Sequence, residues 1–230
     1  MNVICFGDSN TYGYDPRTWL GDRYAPDSRW ADLLAAETGW SVCNMGVNGQ
    51  QIPHTVPVFP TDTDLLILML GTNDLLQGKQ PEQAIAQLEN FLSQINLERE
   101  KLLLIAPPPV TLGEWVPHQT LIDHSKQFAQ CCRSLARQME IRFADAGNWN
   151  ISLAYDGVHF TEQGHKAFAA GRGCSDETNV TLAVYLLATV LRLRQKRSRQ
   201  FLSANYAGRR QGDDGHPGSS DPGCTGAGRI

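Results

Sequence analysis

A serine stands directly after the first apolar run of the chain, where Val3-Ile4-Cys5-Phe6 gives way to Gly7-Asp8-Ser9. A hydroxyl at the end of a strand can act as a nucleophile when a base within reach takes its proton. A serine in that place also caps helices, so the triplet alone leaves both jobs open. A base is offered far downstream, in Tyr155-Asp156-Gly157-Val158-His159. Imidazole titrates near neutrality, so His159 can accept the serine proton and hand it on. Asp156, three residues earlier across a glycine turn, can hold the imidazole in one tautomer and stabilise its protonated form. The D-x-x-H spacing is also found in surface turns and metal sites.

Two other junctions end in polar clusters. The run Leu65 to Leu70 leads into Gly71-Thr72-Asn73-Asp74, and Val42 to Met45 leads into Gly46. The side-chain NH2 of Asn73 can donate to an oxyanion or bond its own turn. Gly46 can bring a backbone N–H close to a ligand or simply make a tight bend. If Ser9, Gly46 and Asn73 meet, two backbone N–H groups and one amide face one point, the arrangement that stabilises an oxyanion. The remaining histidines, His54, His118, His124, His165 and His216, share no ligand spacing, so neither a metal nor another cofactor is expected.

The elements that must position these groups are legible as period and length. Val3 to Phe6, Val42 to Met45, Leu65 to Leu70, Leu102 to Ala106 and Ile141 to Ala144 have strand length, with helical spacing between several of them. Ser28 is expected to cap a helix with Trp30, Leu33 and Leu34 inside and Gly39 at its end. Pro81 opens a second helix carrying Ile85, Leu88, Leu92 and Ile95 on one face, and Leu121 to Met139 gives a third. Thr161 is placed to cap a helix after His159. Continuous apolar strands alternating with helices predict a parallel sheet covered on both faces, an α/β/α three-layer sandwich. For five strands the flavodoxin-like order 2-1-3-4-5 follows, with a ligand crevice where the first and third strands part. The proline-rich loop from Pro107 to Pro117 either walls that crevice or is a plain surface connection.

Together, the GDS, Gly46, GTND and DGVH blocks resemble the SGNH, or GDSL, hydrolases, over roughly residues 1–171. The resemblance implies Ser9 as nucleophile, His159 as base, Asp156 as its orienting carboxylate, and the Ser9 N–H, Gly46 N–H and Asn73 amide as oxyanion donors. It implies a serine esterase acting on a small-molecule ester. The GDS-x-T-x-G form and the proline-rich loop are most like the bacterial arylesterase and acyltransferase branch. Acyl transfer is the alternative outcome of the same acyl-enzyme, with Tyr12, Tyr14, Trp19 and Trp30 as candidates for excluding water. Asn10 stands where the family has leucine, outside the catalytic set, and is expected to affect packing only.

Composition bounds the rest. The chain has 230 residues, is 41% hydrophobic and 19% charged, and carries a net charge of -4, which supplies no positive field for a nucleic acid. Its apolar runs are too short to span a bilayer. Met1 is not followed by a signal-peptide pattern, so a cytoplasmic protein is expected. Cys5 and Cys43 are expected in buried strands as reduced packing residues. The domain is expected to cover residues 1–171. From Arg172 to Ile230 the sequence turns basic and then poor in apolar residues, an unusual extension or the product of a shifted frame, with disorder expected over much of it. A disturbed end of this kind also leaves open an impaired binding or truncated product, and an uncovered apolar face there would favour homo-oligomers.

Overall fold

The computed structural model describes residues 1–18 and 21–171. The expectations placed on Trp19 and on the segment from Arg172 lie outside the described residues.

Five strands form one parallel sheet: β1 (Asn2–Gly7), β2 (Ser41–Gly46), β3 (Leu65–Met69), β4 (Leu102–Ala106) and β5 (Arg142–Asp145), in the order β2-β1-β3-β4-β5. The expected order is therefore found. The helices are α1 (Ser9–Tyr12), α2 (Trp30–Thr38), α3 (Thr72–Leu76), α4 (Pro81–Ser93), α5 (Gln119–Gln138) and α6 (Glu162–Ala170). Strand alternation sends Ile4, Phe6, Leu66, Leu68 and Leu104 into one core, shared with Leu88 and Phe91 of α4 and Phe128 of α5. Val3, Cys5, Leu65, Ile67 and Leu103 enter the other, with Trp30 and Leu34 of α2 and Phe168 of α6. Strands β3 and β4 are buried along their whole length, which is why they read as unbroken apolar runs.

Two local expectations are corrected. Cys43 is exposed, because β2 is the edge strand and alternates between exposed and half-buried positions. Ser28 does not cap α2. Pro26 starts a separate 3-10 turn that ends at Ser28, and the cap position falls to Arg29, whose side chain pairs with Asp32 at 2.8 Å instead. Gly39, Pro81 and Thr161 stand where expected: a left-handed C-cap, a first helical turn, and a cap accepting from the Gly164 N–H.

Register places the site. Gly7 is level with Gly46 on one side and Met69 on the other, so the segments leaving β1, β2 and β3 all emerge at one rim. The β2 end presses on α1 so closely that a Cβ on Gly46 would lie 2.2 Å from the Tyr12 nitrogen and 2.6 Å from the Thr11 carbonyl carbon. Both neighbours are backbone and cannot rotate away. Gly46→Ala is therefore expected to cost about 1–3 kcal/mol, in line with overpacked sites, and to lower the thermal midpoint by several degrees. Calorimetry of the variant beside the wild type measures it.

Candidate active site

The segment after β1 turns immediately into α1, with Asp8 as its cap: the Asp8 Oδ1 accepts from the Asn10 N–H at 3.0 Å. Ser9 is thus the first helical residue, with its N–H free of intrahelical bonds. Burial, opposed by that backbone bond and by the charge of His159, pushes the Asp8 carboxyl up to about 6.

His159 arrives from the segment between β5 and α6. Its Nε2 lies 2.9 Å from the Ser9 Oγ, and its Nδ1 lies 2.7 Å from the Asp156 Oδ2. The other carboxylate oxygen, Oδ1, accepts from the Val158 and His159 N–H groups at 2.8 and 2.9 Å. Burial works to raise the Asp156 pKa, but the bonds from the His159 ring and these two N–H groups outweigh it and hold the carboxyl below its ordinary value. Asp156 therefore stays ionised at neutral pH and fixes Nδ1 as the protonated nitrogen, leaving Nε2 to accept the serine proton. Ser9, Asp156 and His159 are each almost fully buried.

Asn73, in the first turn of α3, donates from Nδ2 to the Gln50 carbonyl at 3.1 Å. One amide hydrogen is thereby committed, and the second has no partner among the described residues. Next to it, the fully buried Asp74 carboxylate accepts from the Ile52 N–H at 2.9 Å and from Lys79 Nζ at 2.7 Å. Gln87 accepts from Lys79 and donates to the Ile52 carbonyl. The irregular loop after β2 is thus tied to α3 and α4 at Gln50 and Ile52. The sequence pattern marked Asp74 only as part of a motif; what it holds is visible only once the loop is placed.

Gly46 is brought to the rim, but its N–H donates to the Asn44 Oδ1 at 2.9 Å, and the Asn44 Nδ2 donates to the Thr11 carbonyl at 2.8 Å. Three residues on, Gly49 has φ +73° with open space at its Cβ position, and its N–H has no hydrogen-bond partner among the described residues.

The proline-rich loop supports the segment that carries Asp156 and His159 directly. Thr111 N–H donates to the Gly157 carbonyl, Trp115 N–H to Asp156 and Glu114 N–H to Tyr155, at 2.9, 3.1 and 3.2 Å. The backbones approach so closely that a Cβ on Gly157, whose φ is +82°, would lie 2.1 Å from the Thr111 oxygen. From this loop Trp115 sets its ring 4.8 Å from the imidazole, edge to face, and Tyr14 sits 4.5 Å away on another side. Both flank the His159 ring. Trp30 does not: it is a core residue whose indole N–H donates to the Asn10 carbonyl, and Tyr12 lies under Arg23.

Two recesses lie in the described residues, and neither is lined by Ser9, Gly46, Asn73, Asp156 or His159. An apolar slot of about 10 Å³ is lined by Thr72, Leu75, Pro107, Val110 and Phe128, Thr72 being the chain neighbour of Asn73. A wider cleft of about 370 Å³ is lined by Pro16, Arg17, Tyr24, Tyr155 and Glu162, beside the segment leading to Asp156. Among the described residues no helix is long and apolar enough to cross a membrane.

The arrangement can carry out acyl transfer through a serine ester: a hydroxyl bonded to a base, the base bonded to a carboxylate, and amide donors beside them. Comparisons with other proteins point the same way. The model of the GDSL-like lipase/acylhydrolase family matches residues 5–167. A carbohydrate acetylesterase family member from Sinorhizobium meliloti superposes with a TM-score of 0.62 at 23% identity, covering 74% of this chain and 94% of its own. The inhibitor-bound aryl esterase of M. smegmatis gives a TM-score of 0.64 at 23% identity, covering 84% and 98%. A proposed arylesterase from Agrobacterium tumefaciens gives a TM-score of 0.60 at 28% identity, covering 73% and 94%. No curated protein matches the chain.

Behind the base lies a second imidazole. His165 is fully buried in contact with the rings of Tyr24 and Phe160, and among the described residues both its nitrogens lack hydrogen-bond partners. Burial, helped by the charges of His159 and Arg29, lowers its pKa from 6.5 to about 3. Its folded value lies below its unfolded one, so its contribution to stability is complete above pH 6.5 and is lost as the pH falls towards 3. Asp8, raised to about 6, acts in the opposite sense over part of that window. His165→Leu removes one contribution and leaves the other. Its stability relative to wild type is expected to rise as the pH is lowered from 6.5, in urea titrations at a series of pH values.

Proposed function

The chain belongs to the GDSL-like lipase/acylhydrolase family, and from that premise we propose that it is a carboxylic ester hydrolase working through an acyl-enzyme on Ser9. The observation that carries this is the unbroken hydrogen-bonded line from Asp156 through His159 to Ser9. As the Ser9 Oγ attacks the ester carbonyl, its proton passes to the Nε2 of His159 and the carbonyl oxygen becomes an oxyanion. Collapse of this intermediate expels the alkoxide, which takes that proton and leaves as the alcohol. Water then attacks the acyl-serine with His159 again as base, and the acid departs with the serine regenerated.

The oxyanion donors in this reading are the Ser9 N–H and the second amide hydrogen of Asn73. The third donor is the N–H of Gly46, level with Gly7 at the same rim, whose hydrogen is shared with the Asn44 Oδ1. The substrate in this reading is a small ester with a short acyl chain, favoured by the likeness to a carbohydrate acetylesterase and to aryl esterases.

An impaired product is the poorer reading. Helix α6, whose loss would loosen the segment holding His159, is packed through Phe168 against Trp30 and Trp149.

Ser9→Ala is expected to abolish hydrolysis of 4-nitrophenyl acetate and labelling by a fluorophosphonate; full activity in that variant would refute the acyl-enzyme. Asn73→Ala should lower kcat by roughly 100- to 1000-fold while the protein stays folded, as measured for other oxyanion donors. Across 4-nitrophenyl esters, kcat/KM should be highest for acetate and fall steadily from butyrate to octanoate. A maximum at octanoate would remove the short-chain assignment.

A further inference from the structure

Asn10 has no place in the reaction above, and apolar packing is not what it does. Its side chain is buried to 4% exposure and carries two hydrogen bonds across the molecule. Its Nδ2 donates to the Val158 carbonyl at 3.2 Å, and its Oδ1 accepts from the Phe160 N–H at 2.9 Å. These two partners are the residues immediately before and after His159. One amide thus grips the backbone on both sides of the base, from the residue next to Ser9. Its own carbonyl is held in turn by the Trp30 indole at 3.0 Å, and its N–H by Asp8 at 3.0 Å. Every polar group of Asn10 that can set its position is engaged.

We propose that Asn10 is a positioning residue that fixes the distance between imidazole and hydroxyl, by fastening the His159 backbone to the turn that carries Ser9. The inference rests on the acyl-enzyme reading. The chemistry favours it over a general stabilising role. The Asp156 carboxylate sets the orientation of the ring, but it lies on the same segment as His159 and moves with it. The ring contacts from Tyr14 and Trp115 are non-directional by comparison. Among the described residues, the side-chain bonds joining the 156–160 segment to the Ser9 turn are those of Asn10 and the Ser9–His159 contact itself. A leucine here fills the volume and supplies neither bond. An aspartate keeps the acceptor for Phe160 and sets a carboxylate oxygen against the Val158 carbonyl.

The test is a cycle in which Asn10→Leu and Asn10→Asp are each made in the wild type and in His159→Ala, with kcat and KM measured on 4-nitrophenyl acetate. In the wild-type background both substitutions should lower kcat, Asn10→Leu by about 10- to 100-fold, as expected when a catalytic group is displaced by a fraction of an ångström to an ångström. KM should stay within about threefold, because the lost term is realised in the chemical step. With His159 absent there is no base to position, and the same substitutions should change the residual rate by less than about twofold. An equal loss in both backgrounds would make Asn10 a structural residue only, and a wild-type-background loss below about threefold would remove the role altogether. If Asn10→Leu does not fold, Asn10→Asp, which keeps size and one bond, decides by the same criteria. Should His159→Ala itself retain full activity, it is the acyl-enzyme reading that fails, and the cycle distinguishes the two.

Discussion

One carboxylate holds the site together. Asp156 accepts three hydrogen bonds, two from backbone N–H groups of its own turn and one from the imidazole, while being almost wholly withdrawn from water. A buried charge is tolerable only when its lone pairs are satisfied, and here the same bonds that satisfy it also shape the turn and orient the ring. The turn needs Gly157 at φ +82° and tolerates no Cβ there, because the proline-rich loop lies against it. Loop, turn, carboxylate and base therefore form one solid body whose parts are not separately adjustable.

A similar economy appears on the opposite wall. Asp74 is buried more completely still, and it spends its oxygens on Ile52 and Lys79. The consequence is a fixed Gln50 carbonyl and a fixed Asn73 amide. Each of the two walls is thus organised around a buried acidic side chain whose oxygens are spent on the protein itself. The sheet supplies only the common rim on which both can be built.

The fold was legible because its cues are local and redundant. Unbroken apolar strands could come only from a sheet covered on both faces, and Gly39, Pro81 and Thr161 punctuate the helices as their chemistry dictates. Ser28 misled because a proline two residues earlier opened a competing turn, and Cys43 because an edge strand borrows its apolar letters from a pattern it only half uses. The meeting of Ser9, His159 and Asp156 could be anticipated from residue type and strand order. What a hydrogen bond does across 150 positions could not: Asn10 looks like a packing substitution until its two partners are seen to bracket the base. The engaged N–H of Gly46 is equally invisible in the letters, since it depends on which way the Asn44 amide turns.

The longest of these links has a temporal meaning. The serine turn is made from the first dozen residues, and the segment that answers it comes after four further strands. During synthesis the amino-terminal part can collapse onto its growing sheet while the hydroxyl has nothing to surrender its proton to. In the acyl-enzyme proposed above, reactivity arrives only when the stretch around residue 159 leaves the ribosome and docks. A nascent or prematurely ended chain thus carries an inert alcohol, and hydrolytic power is itself a report that the domain has been finished.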